Sequence, residues 1–131
     1  HEMGHAVEFA LLGERALQEA FRAEGFATWF TQYAGGHSTV IDGAALRKRY
    51  LEAAREAFRL NSSLSAFSGS ALDYARASLI FSTIVDRRGI SGLVKVYRAM
   101  AQEDLPLLSA IQNTLGWDER RLEEEAARFL K

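Results

Sequence analysis

The chain has 131 residues, of which 48% are hydrophobic and 25% charged, which is the size and composition of a single soluble globular domain with one core. Sixteen lysines and arginines against seventeen aspartates and glutamates give a formal charge of -1, so the sequence predicts no general attraction to nucleic acid or anionic lipid. Cysteine is absent and no long uncharged apolar run occurs, which excludes cysteine-ligated zinc and a transmembrane helix but leaves the cellular location undetermined.

Strong helix formers dominate the chain and only one proline occurs, so the sequence predicts an all-α fold. The first predicted helix spans about residues 1–12 and carries an apolar stripe at four-residue spacing, formed by Met3, Val7 and Leu11. Another helix is expected from near residue 15, and a further one over about 24–34. The latter carries aromatic residues at helical spacing that are predicted to be core: Phe26, Trp29, Phe30 and Tyr33.

The remaining chain is expected to form a helical tail over about 42–130, after a short β-branched piece at 37–41. A Ser-rich loop at 61–69 precedes Ser70-Ala71-Leu72-Asp73, which matches a capping box. Further helix boundaries are predicted at capping and helix-breaking residues: Asp42, Gly89, Ser91, Asp104 with Pro106, Gly116 and Asp118. The acidic cluster at 123–125 is expected on a solvated helix face. This gives about seven or eight helices in one domain over residues 1–131.

The first five residues form the pattern His-Glu-x-x-His that is typical of zinc metallopeptidases. On an α-helix a four-residue step turns about 400° and rises about 6 Å, so His1 and His5 project from one face and can share one metal ion. A catalytic zinc ion has three protein ligands and an open position for water. Glu2 is the expected general base on that water, and Glu24 is the expected third ligand.

Eighteen residues separate His5 from Glu24, which begins the segment Glu24-Gly25-Phe26-Ala27. These two blocks together resemble the gluzincins, the thermolysin-like and aminopeptidase-like zinc peptidases of the peptidase MA superfamily. The resemblance implies zinc bound by His1, His5 and Glu24, with Glu2 activating water for peptide-bond hydrolysis. A weaker similarity to the helical tails of small peptidase MA-like domains covers the rest of the chain, at Tyr74–Phe81, Val85–Gly89, Leu93, Leu115–Gly116 and Leu122.

The resemblance also implies groups beyond the metal ligands. In gluzincins a downstream tyrosine or histidine stabilises the oxyanion, and Tyr74 is the first candidate here, with His37 the second as a residue near the substrate. The superfamily binds its peptide along the edge strand of a β-sheet that precedes the active-site helix. The expected fold is therefore the helical C-terminal subdomain of a zincin-like metallopeptidase, with an upstream segment of the same protein as a partner. The opening on His1, without an initiator Met, is consistent with that expectation.

The residues leave other interpretations open. A non-catalytic helical binding module could keep the same ligands as a structural or vestigial metal site, whose fourth zinc position is filled rather than open to water. Copper bound by the imidazole of His1 and a free terminal amine is a further alternative. Glu24 is also explained as a carboxylate that the helix dipole favours near a helix N-terminus, and Tyr74 as a partly buried helix tyrosine.

Overall fold

The computed structural model describes residues 1–36 and 42–131, which form an all-α fold without strands, as predicted. His37 and the rest of the predicted β-branched piece lie outside the described residues. The helices are α1 (Glu2–Leu12), a 3₁₀ helix (Gly13–Leu17), α2 (Ala20–Gly36), α3 (Gly43–Leu60), α4 (Ala71–Glu103), α5 (Leu107–Leu115) and α6 (Glu119–Phe129). Within the two described ranges, no helix is both long and apolar enough to cross a membrane.

Helix α4 forms the centre of the fold, and the other α-helices of the described chain all pack against it. Phe26 and Trp29 of α2 are buried against Phe81 of α4, which confirms the predicted aromatic core at these two positions. Tyr33, at the far end of the same stripe, is 39% exposed and stacks on Trp29. Further core side chains come from α4, α5 and α6: Ile80, Ile84, Val96, Met100, Leu107, Ile111 and Leu122. The helices that carry the candidate site therefore rest on one continuous apolar core.

Most predicted helix boundaries are confirmed, while one in the second half of the chain is wrong. The caps Asp42, Ser70 and Asp118 each accept a hydrogen bond from the backbone N–H three residues later. Gly89 leaves the helical region, with φ 70° and ψ 179°, so α4 consists of two helical segments that meet at a kink at the predicted boundary. Asp104 ends α4 in a left-handed conformation, and Pro106 rather than Asp104 precedes α5.

The buried face of α1 is not the apolar stripe that the sequence carries. Gly4, Glu8 and Leu12 are buried, whereas Met3 and Leu11 of the predicted stripe are exposed. The predicted helix is confirmed, but its apolar stripe is not the buried face, because Gly4 permits a close approach to α2 and because Glu8 finds buried partners. An apolar helix face is thus left at the surface.

The prediction of a fully solvated acidic cluster is also wrong at Glu125, which is completely buried. Among the described residues, three arginines lie within ion-pair distance of its carboxylate: Arg87, Arg121 and Arg128. A buried carboxylate is strongly destabilising unless it is paired, and these arginines from α4 and α6 supply the pairing. Glu125 therefore ties α6 to the centre of the fold.

Asp73 organises the loop that leads into α4. Its Oδ2 accepts hydrogen bonds from the backbone N–H groups of Ser68, Gly69 and Ser70 and from the Ser68 hydroxyl, at 2.7–3.1 Å. Together with the bond from its own N–H to Ser70, this completes the predicted capping box. The Ser68 hydroxyl and the backbone donors hold the pKa of the Asp73 carboxyl well below its usual range.

The substitution Asp73→Asn is expected to lower the free energy of unfolding by about 1–2 kcal/mol at neutral pH, because an amide cannot accept all of these hydrogen bonds. Since the pKa is lower in the folded state, the carboxylate stabilises the fold fully above its unfolded pKa of about 3.9, and this stabilisation is lost as pH falls below that value. Urea unfolding from pH 7 to pH 3 should therefore show the difference between wild type and variant narrowing in acid.

The matched control for this prediction is Asp118→Asn, which changes an N-cap that holds the single backbone N–H of Arg121. Asparagine caps a helix nearly as well as aspartate, so this variant should lose much less stability. Equal losses in the two variants, or a difference that stays constant down to pH 3, would contradict the role given to Asp73.

Candidate metal centre

Three side chains from two helices meet at the start of α1. His1 Nε2 lies 2.9 Å from Glu24 Oε2 and 3.2 Å from His5 Nε2, and His5 Nε2 lies 3.4 Å from the same Glu24 oxygen. The side chains of His1, His5 and Glu24 are 36%, 30% and 25% exposed. The three atoms, called the ligand triangle below, therefore have a side that solvent can reach.

One of the three distances in the ligand triangle has the spacing that the ligands of a zinc ion require. Zinc binds imidazole nitrogen and carboxylate oxygen at about 2.0–2.2 Å, so two ligand atoms on a tetrahedral ion lie about 3.3–3.6 Å apart. The distance between His5 and Glu24 matches this spacing, that between His1 and His5 is slightly shorter, and that between His1 and Glu24 is the length of an ordinary hydrogen bond. Two imidazoles and one carboxylate are also a donor set that zinc prefers.

Glu2 stands beside the ligand triangle. One of its carboxylate oxygens and one ring nitrogen from each of His1 and His5 lie within 4.8 Å of one another. Glu2 is exposed, and within the described parts of the chain it forms no ion pair. Its oxygens are therefore available to a water molecule near the two imidazoles, which is what a general base requires.

Tyr74 lies beside the ligand triangle and stacks on His1. It lies in the first turn of α4, and its ring is nearly parallel to that of His1, with 14° between the planes and 6.0 Å between the centroids. Phe67 from the Ser-rich loop stacks on Tyr74 at 5.5 Å. The structure thus brings Tyr74 to the ligand triangle, whereas the other oxyanion candidate, His37, lies outside the described residues.

Two glycines allow the helices that carry the ligands to approach closely. A Cβ atom at Gly4 would lie 2.8 Å from the Cα of Ala27, and one at Gly25 would lie 2.8 Å from the carbonyl oxygen of Ala77. Distances this short leave no space for a side chain. Gly4 thus lets α1 rest on α2 between the two histidines, and Gly25 lets α2 rest on α4 beside Glu24.

Glu24 does not open its helix, as the sequence had predicted, because α2 begins at Ala20 and extends to Gly36 instead of spanning about 24–34. The first turn of α2 contains no acidic residue. The electrostatic effect of a helix N-terminus falls off within the first turn. The helix dipole therefore gives little reason for a carboxylate at position 24, and its contacts with His1 and His5 are the features that distinguish it.

A buried cluster that joins the helices of the site was missed at the sequence level. Glu8 on α1 accepts hydrogen bonds from Arg22 on α2 and from Tyr97 on α4. Burial and the Glu8 carboxylate raise the pKa of the Tyr97 hydroxyl well above its usual value, so Tyr97 remains a hydrogen-bond donor. The available signal was a carboxylate at position 8 in an otherwise apolar helix segment, which indicates a buried partner.

Comparisons of the chain with protein-family models, with curated proteins and with solved structures gave no match. The similarity to gluzincins therefore rests on the residues of the two motif blocks, and membership of that family stays a prediction. Any function of the site has to follow from the chemistry of its own residues.

Proposed function

We propose that this chain carries a zinc-dependent peptidase centre of gluzincin type, in which His1, His5 and Glu24 hold the metal. The supporting observation is the convergence of three ligand atoms from two helices on one point that solvent can reach. A structural zinc site is closed by a fourth protein ligand, whereas a catalytic site keeps that position open. The exposed side of the ligand triangle favours catalysis over a purely structural site.

Each residue around the ligand triangle has a separate role in the proposed reaction. Zinc in such a site supplies Lewis acidity, which lowers the pKa of a water molecule and polarises the scissile carbonyl group. The Glu2 carboxylate accepts the proton of the attacking water and returns it to the amine that leaves. The hydroxyl of Tyr74 is the candidate donor to the oxyanion, since its ring already lies against His1. The reaction consumes water and yields a carboxylic acid and an amine.

The test combines metal analysis with hydrolysis of a fluorogenic peptide library. The protein should contain one zinc ion per chain and cleave some of the peptides, and a chelator should stop cleavage until zinc is added back. Binding of one zinc ion without any cleavage would leave only the non-catalytic metal site. Failure to bind zinc would overturn the proposal.

A control distinguishes the side-chain site from one built on the terminal amine of His1. Acetylation of that amine, verified by intact-mass analysis, should leave the zinc content unchanged, because the proposed ligands are all side chains. Loss of zinc on acetylation would instead show that the terminal amine is a metal ligand, as it is in the copper alternative.

A further inference from the structure

We infer that Glu8, Arg22 and Tyr97 form a positioning cluster that sets the distance between the histidines of α1 and the glutamate of α2, and with it the affinity of the site for metal. This inference rests on the proposed function, and it assigns to three buried residues a role that the ligands alone do not reveal. None of the three contacts the ligand triangle in the described structure, so their effect on the metal is indirect.

The cluster joins three helices through directional hydrogen bonds. Glu8 is fully buried and Arg22 is 2% exposed. The guanidinium of Arg22 donates to both Glu8 oxygens, from Nε at 3.1 Å and from Nη2 at 3.3 Å. Tyr97 donates its hydroxyl to Glu8 Oε2 at 2.5 Å. A bidentate pair with a third donor fixes both the distance and the rotation of α1 relative to its neighbours.

The location of the cluster connects it to the metal ligands. Glu8 follows His5 by three residues on α1, and Arg22 precedes Glu24 by two residues on α2. The cluster and the ligand triangle therefore bridge the same pair of helices, and along each helix they lie less than one turn apart. A shift of α1 along α2 at the cluster would move both imidazoles relative to Glu24, and the ligand distances of a well-formed metal site lie within about 0.2 Å of their standard values.

Arg22 also has partners outside the cluster that hold its guanidinium in place. Its Nη2 donates to the backbone carbonyl oxygen of Ala16 at 2.8 Å, and its Nη1 lies 3.4 Å from Glu19 Oε1. Glu19 in turn accepts a hydrogen bond from the backbone N–H of Leu107 in α5. A buried ion pair often stabilises a fold no better than apolar residues of equal volume would. What this connected set of hydrogen bonds adds is a fixed position of α1 relative to α2.

Glu8→Gln and Glu125→Gln make a matched pair of variants for the test. Both carboxylates are fully buried and paired with arginine, but Glu125 lies between α4 and α6, away from the ligand triangle. Thermal unfolding without metal should show a loss of stability in both. Zinc affinity, measured by competition with a chromophoric chelator well below the unfolding temperature, should fall about 10–100-fold for Glu8→Gln and less than about two-fold for Glu125→Gln.

The milder variant Tyr97→Phe removes one hydroxyl and keeps the ion pair, so it decides the question if Glu8→Gln does not fold. We expect its zinc affinity to fall by about three-fold or more, a smaller loss than the about 10–100-fold expected for Glu8→Gln, because the ion pair with Arg22 is kept. The inference would be overturned if Glu125→Gln lost as much zinc affinity as Glu8→Gln at an equal loss of stability. Wild-type zinc affinity in both Tyr97→Phe and Glu8→Gln would also overturn it.

A metal-free measurement separates failure of this inference from failure of the proposed function. The imidazole NMR signals of His1 and His5, recorded without zinc, should shift in Glu8→Gln and Tyr97→Phe and stay unchanged in Glu125→Gln. If wild-type protein binds no zinc, the proposed function is wrong, and these signals still decide whether the cluster positions the histidines. Unchanged imidazole signals in both cluster variants would overturn the positioning role.

Discussion

Replacement of His5 or Glu24 by alanine is expected to abolish stoichiometric zinc binding. Each substitution removes one of three protein ligands, so the loss of affinity should exceed the about 10–100-fold that follows loss of an outer-shell partner. Both side chains are partly exposed, and their removal opens no large cavity in the core. The measurement is the metal content after gel filtration, with circular dichroism to verify that the helices remain.

The control for this prediction is Glu14→Ala, which removes an exposed carboxylate from the 3₁₀ helix after α1 and should leave one zinc ion bound. A full equivalent of zinc in both His5→Ala and Glu24→Ala would exclude the proposed ligand set. Retention by Glu24→Ala together with loss in Glu2→Ala would make Glu2 the third ligand, which its distance of at most 4.8 Å from the imidazole nitrogens permits.

The helix starts that could be predicted are those that local chemistry determines. Asp42, Ser70 and Asp118 cap helices as expected, because the hydrogen bond that begins each helix is made to a backbone group three residues away. The predicted all-α class follows from similarly local preferences. Such signals lie within a few residues of the position they determine, so they can be read without knowledge of the tertiary structure.

The boundaries that were predicted wrongly depend on distant partners. Glu19 precedes α2 in a left-handed conformation, and its side chain accepts a hydrogen bond from the backbone N–H of Leu107. Asp104 ends α4 with its carboxylate 2.8 Å from the guanidinium of Arg15. Neither pairing has a signature in the residues adjacent to it, because the two partners are more than eighty positions apart in the chain.

The candidate site also contains residues that local sequence patterns predict and residues that depend on distant partners. The four-residue spacing of His1 and His5 is sufficient to place both rings on one helix face, and Glu24 was proposed from its sequence context. The supporting residues Glu8 and Arg22 could not be identified, because charged residues are expected at the surface unless a specific buried partner is known. The pairing of two charges inside the fold is a property of the packed helices.

Glu2→Gln is expected to keep one zinc ion per chain and to lower peptide hydrolysis by about 10²–10⁴-fold. Glutamine has nearly the shape of glutamate but cannot accept the proton of the attacking water. Since Glu2 is exposed and forms no ion pair among the described residues, the substitution should leave the free energy of unfolding almost unchanged. The measurement is kcat on a cleaved peptide, with the metal content determined on the same sample.

Glu14→Gln serves as the control, since it makes the same chemical change on an exposed residue outside the site and should retain the wild-type rate. A normal rate in Glu2→Gln would refute the general-base role, whereas loss of zinc would identify Glu2 as a ligand. In a non-catalytic binding module, no hydrolysis would exist for the substitution to remove. A large fall in kcat at constant zinc content and constant stability therefore distinguishes a peptidase from a module with a vestigial metal site.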